Sequence, residues 1–154
     1  MIKNETKKII LTVVSIVVVA VLGSVFVNLG SDWFAKLNKP TQWIPDFIIP
    51  IVWTVIYISF AIVLSVWISK ENLPKSVVIL LILNGIFNVL WCLIFFTFNL
   101  TFIGNIVIIL NLILAYTLVL EIKKSKSLYA LILSVYPVWI SIATTLNTAL
   151  WILN

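Results

Sequence analysis

Ser76–Leu120 contains no charged residue over 45 positions, and this stretch limits what the chain can become more than any other feature. As one helix it would extend roughly 68 Å at about 1.5 Å per residue, more than twice a hydrocarbon core of about 30 Å. It must fold back, and the natural break is Thr97-Phe98-Asn99-Leu100-Thr101, with Gly104 just beyond. Three further uncharged segments, Ile9–Ser31, Phe47–Ser69 and Ser127–Asn154, hold 23, 23 and 28 residues, each enough for one crossing. The expectation is an all-α membrane protein: a single domain over 1–154 with helices near 9–30, 48–69, 76–97, 101–121 and 128–152, and a loop over 31–47.

Lipid supplies no hydrogen-bond partners, so a spanning segment satisfies its backbone internally or within a closed barrel. A barrel needs strands of about ten residues with alternating polarity, whereas Ile9-Ile10-Leu11-Thr12-Val13-Val14 is typical of the unbroken runs here. Charged residues make up only 10% of the 154 positions, against about 25% in soluble domains. The first apolar run follows Lys3, Lys7 and Lys8 and so resembles a signal peptide. It is long and lacks a clear small-x-small site, so it is read as a retained anchor.

All ten basic residues are lysine. Five spans put Lys3, Lys7, Lys8, Lys70, Lys75, Lys123, Lys124 and Lys126 on one side, and only Lys36 and Lys39 on the other. By the positive-inside rule the N-terminus is expected in the cytoplasm and the C-terminus outside. The net charge of +5 therefore reads as topology and lipid contact. Nucleic-acid binding is not expected, since no basic patch is interleaved with exposed rings.

Conventional chemistry is poorly supplied. There is no histidine, the single methionine is Met1 and the single cysteine is Cys92. A zinc site lacks ligands, and a tightly ligated haem would have only Cys92 or a tyrosine as an axial group. Glu5, Asp32, Asp46, Glu71 and Glu121 all fall in loops or at helix ends, so no carboxylate relay crosses the membrane. Neither a nucleophile with a basic partner nor a phosphate-binding loop is present. No cofactor is required.

What the spans do carry is rings and amides at helical spacing. Asn84, Asn88, Trp91 and Phe95 share one face of the third span, as do Trp53, Tyr57, Ala61 and Ser65 in the second, and Trp139, Ala143, Asn147 and Trp151 in the fifth. An amide in hydrocarbon needs a partner, so these faces should point inward. For Asn84 and Asn147, interhelical bonding and ligand contact are both open. Trp43, Trp67 and Trp151, near span ends, read as interface anchors. Trp53 and Trp139 read as walls of a cavity suited to a flat, largely apolar ligand. The loop from Trp33 to Pro45, rich in rings and stiffened by Pro40 and Pro45, reads as a lid over the bundle or as a segment lying on headgroups. Lys36 and Lys39 near its mouth would attract an anionic ligand. Ala20/Ser24 and Ala61/Ser65 are small-residue pairs that permit close helix approach.

With these motifs in hand, the chain resembles the tryptophan-rich sensory protein family, also called translocator proteins or peripheral-type benzodiazepine receptors. The resemblance rests on Trp33-x2-Lys36-Leu37-x-Lys39-Pro40-x2-Trp43-x-Pro45, Pro50-x2-Trp53-x3-Tyr57-x3-Ala61, Leu83-Asn84-x2-Phe87-Asn88-x2-Trp91-x3-Phe95-Phe96, Asn105 with Leu110-Asn111, and Tyr136-Pro137-x-Trp139-x3-Ala143-x3-Asn147-x6-Asn154. It implies a five-helix bundle, commonly a homodimer, that binds porphyrins such as protoporphyrin IX, related tetrapyrroles and benzodiazepine-type ligands. It also implies light-dependent oxidative breakdown of the porphyrin in some members, for which Trp53 and Trp139 are the candidate rings, or transport without catalysis. Matched residue by residue, it implies a pocket of Trp33, Pro45, Trp53, Tyr57, Asn84, Phe87, Asn88, Trp91, Trp139, Ala143 and Asn147, with the porphyrin as ligand or substrate. Nothing basic follows Lys126, so the sterol-recognition pattern of animal members is not reproduced.

Overall fold

The computed structural model describes residues 3–41 and 44–154, so Trp43 and its anchor role lie outside the described residues. Helices α1 (Asn4–Leu29), α2 (Ser31–Ala35), α3 (Ile48–Ile68), α4 (Lys75–Cys92), α5 (Thr101–Lys123), α6 (Ser127–Leu133) and α7 (Val135–Leu153) make up the fold, with no strand among the described residues. Among the described residues, five stretches are long and apolar enough to cross a bilayer: α1, α3, α4 with the turn that follows it, α5, and α6 with α7. The spans close into a ring in the order α1, α3, α6–α7, α5, α4, and back to α1.

Each departure from a plain five-helix reading has a local cause. α1 starts at Asn4, ahead of the apolar run. Glu5 sits favourably in its first turn, and Lys8 Nζ donates to Asn72 Oδ1 of the α3–α4 loop at 2.6 Å. Within the segment expected to be loop, Ser31–Ala35 is helical. The fifth span is interrupted at Ser134, because Pro137 has no N–H for the carbonyl four residues earlier and its ring crowds that carbonyl. The third span ends in a π-helical turn, Leu93–Thr97. There Phe98 N–H reaches Leu93 O at 3.0 Å, and Asn99 then takes φ 59° to reverse the chain. Asparagine tolerates that left-handed region better than most residues.

Burial is uneven around the ring. α1 buries only Gly23, whereas α5 buries Gly104, Asn105, Val107, Ile108, Asn111, Ala115, Leu118 and Ile122. α1 is therefore a flank, and α5 is a core element. Trp67 corrects its reading as an interface anchor. It is 1% exposed, packs against Tyr129 at 5.6 Å and donates from Nε1 to Glu71 Oε1 at 3.0 Å. Its place near a span end is compatible with burial because Glu71, just past the helix, meets the indole N–H. Trp151 does sit on the surface, 39% exposed and packed on Phe102 at 5.1 Å.

Candidate functional site

Buried amides link neighbouring spans. Trp91 Nε1 donates to Asn147 Oδ1 at 3.1 Å, joining α4 to α7. Asn84 Nδ2 donates to Leu80 O at 2.8 Å and across to Leu114 O of α5 at 3.2 Å. Tyr136 OH donates to Asn111 Oδ1 at 3.2 Å, and Thr148 OH to Asn105 Oδ1 at 2.9 Å, both between α7 and α5. A longer contact, 3.4 Å, runs from Tyr57 OH to Asn88 Oδ1. Bonding between spans is thus a real use of these amides, yet it does not exhaust them. Asn84 Oδ1, Asn111 Nδ2, Trp139 Nε1 and Asn147 Nδ2 are buried without a partner among the described residues. Such a group costs about 1–3 kcal/mol, so each one marks a place where packing alone does not explain the residue.

Two hollows adjoin these groups. The upper one, at the α2 end of the bundle, is lined by Phe34, Ile49, Trp53, Trp91, Phe95, Phe96, Trp139, Ala143, Leu146, Asn147 and Leu150, and encloses about 50 Å³. Its walls are rings in mutual contact: Trp53 lies 6.4 Å from Trp91, and Trp91 stacks on Phe95 at 6.3 Å. The α2 segment roofs it. Trp33 meets Phe95 edge-on at 5.6 Å and Phe34 meets Phe96 at 5.2 Å. The strand of loop beyond α2 is tied down by Asn38 N–H to Asn154 Oδ1 at 2.9 Å, by Asn154 Nδ2 to Asn38 O at 3.1 Å, and by an ion pair of Lys39 with Asp46 at 2.9 Å.

The lower hollow, between the first half of α1 and the facing parts of α3 and α4, is larger, about 550 Å³. Trp53 borders both hollows, so its ring is a partition between them. Of the residues expected to line one pocket, Trp53, Trp91, Trp139, Ala143 and Asn147 meet in the upper hollow, and Trp53, Tyr57, Asn84 and Asn88 in the lower. The remaining three line neither. Trp33 lies behind Phe95, Phe87 packs against the core cluster, and Pro45 is exposed, its carbonyl accepting Ile48 N–H at 3.0 Å. Sequence reasoning missed Phe34, Phe96 and the α1 wall. Phe96 lines the hollow beside Phe95 only because the π turn widens the helix there, which simple four-residue spacing cannot anticipate.

Fold and hollows together define a small multi-pass α-helical membrane protein with an aromatic interior roofed by its first connecting segment. The chain belongs to the TspO/MBR family, whose family model matches residues 11–152. It is similar to the tryptophan-rich protein TspO of Chlorobaculum tepidum, 28% identical over 136 residues covering 86% of each chain. The tryptophan-rich protein TspO of Archaeoglobus fulgidus is 27% identical over 150 residues, 96% of this chain and 97% of the relative. Protein CrtK of Rhodobacter capsulatus is 25% identical over 126 residues, 79% and 78% of the two chains.

Proposed function

We propose that the upper hollow binds a porphyrin-type tetrapyrrole, protoporphyrin IX being the reference ligand, with its plane against Trp53, Trp91 and Trp139. One observation carries this reading. Trp139 and Asn147 line that hollow, and their Nε1 and Nδ2 are buried donors without a partner among the described residues; a flat ligand with acceptor groups at its edge would satisfy both while stacking on the indoles. A volume of about 50 Å³ is far below the roughly 300–1,000 Å³ of small-molecule pockets. Binding therefore requires the roof at α2 and the loop after it to lift. The lysine-rich end faces the cytoplasm in this reading, which places the roof on the opposite side, and the protein assembles as a homodimer.

Bound porphyrin is a photosensitiser, so the protein's contribution to its oxidation by dioxygen is to hold the macrocycle against oxidisable rings, Trp53 and Trp139. A carrier that returns the porphyrin unchanged is the alternative. Titration with protoporphyrin IX in darkness, followed by tryptophan fluorescence and porphyrin absorbance, should give saturable quenching; its absence sinks the binding reading. Illumination of the complex then separates degradation from carriage. Trp53→Phe and Trp139→Phe should keep binding and slow porphyrin loss, whereas unchanged loss removes these rings from any oxidative role.

A further inference from the structure

The lower hollow differs from the upper one in access and in chemistry. Its rim includes Leu11, Val14, Ile82 and Ile86, which are 68%, 51%, 57% and 54% exposed on the outer surface of the bundle. It therefore opens sideways, between α1 and α4, where acyl chains run. α1 and α4 come close at two places: a Cβ at Gly23 would lie 3.5 Å from Cys92 Sγ, and a Cβ at Gly85, in the recess wall, would meet Val19 Cγ2 at 3.2 Å. The void is thus a built recess under a close helix crossing, and its roughly 550 Å³ falls within the range of small-molecule sites.

No charged side chain lines this recess, which favours a neutral occupant. Several of its polar groups have already spent their hydrogens. Thr12 and Ser15 spend their hydroxyl hydrogens on Lys8 O and Leu11 O at 2.9 and 2.8 Å, and Tyr57 directs its own toward Asn88 Oδ1. Both hydrogens of the Asn84 amide go to the carbonyls of Leu80 and Leu114. Beside them Asn84 Oδ1 is a buried acceptor without a partner among the described residues, on a side chain 5% exposed. The upper hollow has the opposite need, since its unpaired groups are N–H donors.

We propose that this recess is a second binding site, filled from the bilayer, for a neutral amphiphile with an apolar body and a hydroxyl or N–H donor that reaches Asn84 Oδ1. An ether or ketone of the same skeleton lacks the donor and binds worse. The inference does not depend on porphyrin binding above.

The test uses the full chain in nanodiscs, with tritiated geranylgeraniol as probe and unlabelled geranylgeraniol or its methyl ether as competitor. The alcohol should bind saturably and the ether should compete about tenfold less well, the effect of one hydrogen bond. Ile16→Trp fills the recess and should abolish alcohol binding while leaving protoporphyrin IX quenching intact; Ile82→Trp at the rim serves if the first variant does not fold. Absence of saturable binding, equal competition by the ether, or binding unchanged in a folded tryptophan variant each overturns the proposal. Crosslinking of a cysteine at Ile82 to a second copy, with no alcohol bound, would show instead that another chain covers the recess.

Discussion

Trp91 on α4 gives its indole hydrogen to Asn147 on α7, 3.1 Å away, and the same Asn147, which lines the upper hollow, keeps an Nδ2 without a partner among the described residues. One side chain thus joins two spans and presents a donor to the interior. In membrane proteins such interhelical bonds contribute about 0.6 kcal/mol on average and up to about 1.7, less than the penalty for orphaning a buried indole N–H. Asn147→Leu should therefore cost about 1–3 kcal/mol. Adding Trp91→Phe, which removes the orphan, should cost less than the two single changes summed. A double-mutant cycle on thermal unfolding in detergent measures this; strict additivity would mean that the two groups do not interact.

The roof should be loosened by removing its tie to the end of α7. Asn154 accepts from Asn38 N–H at 2.9 Å and donates to Asn38 O at 3.1 Å. Both bonds are exposed, where each is worth at most about 1 kcal/mol net, so Asn154→Ala should make roof opening several-fold more frequent without unfolding the bundle. Hydrogen exchange over residues 36–41 should accelerate by that factor, while exchange within α5 stays unchanged. Equal acceleration in both would show that the substitution acts on the whole fold.

Gly23 in α1 and Gly30 just past its end should respond very differently to an added methyl. A Cβ at Gly30 would lie 2.0 Å from Phe96 O and 2.5 Å from its carbonyl carbon, both backbone atoms of the π turn. A Cβ at Gly23 would meet the Cys92 sulfur at an ordinary 3.5 Å. Gly30→Ala should lose about 1–3 kcal/mol or more through overpacking and push α2 off Phe96. Gly23→Ala should be nearly neutral. Thermal midpoints of the two variants, measured side by side, check the ranking, and a similar loss in both would contradict the packing described.

Where Asn84, Asn88, Trp91 and Trp139 point was readable from residue spacing, because an unbroken helix repeats its faces and an amide in lipid has to turn inward. The five crossings were readable for a similar reason: charge-free length admits few alternatives. The irregularities were not. Phe96 depends on the π turn, and Trp67 on an acidic partner four residues later that lets an indole stay buried at a span end. The split between two hollows was also hidden, since it depends on where the Trp53 ring stands between them. Trp33, Phe87 and Pro45 carry motif positions without lining either hollow, which shows that a shared motif marks packing and roofing positions along with lining ones.

At the lysine-rich end, Glu71 accepts from Trp67 Nε1 and pairs with Lys126, linking the end of α3 to the start of α6. The lysine beside it, through hydrogen bonding and charge, holds the Glu71 carboxyl below its ordinary value of 4.5. A carboxylate whose folded value is depressed stabilises the fold above the ordinary value and loses that contribution as pH falls through the folded one. The clamp should therefore be intact at neutral pH and fail below about pH 4.5. Because the pair is exposed to water, the effect on overall stability should be small. Comparing thermal midpoints of the protein and of Glu71→Gln from pH 6 to pH 3 gives the test. The native protein should lose its advantage over the variant only at the acid end, and a constant difference across the range would mean that Glu71 acts through packing and not through its charge.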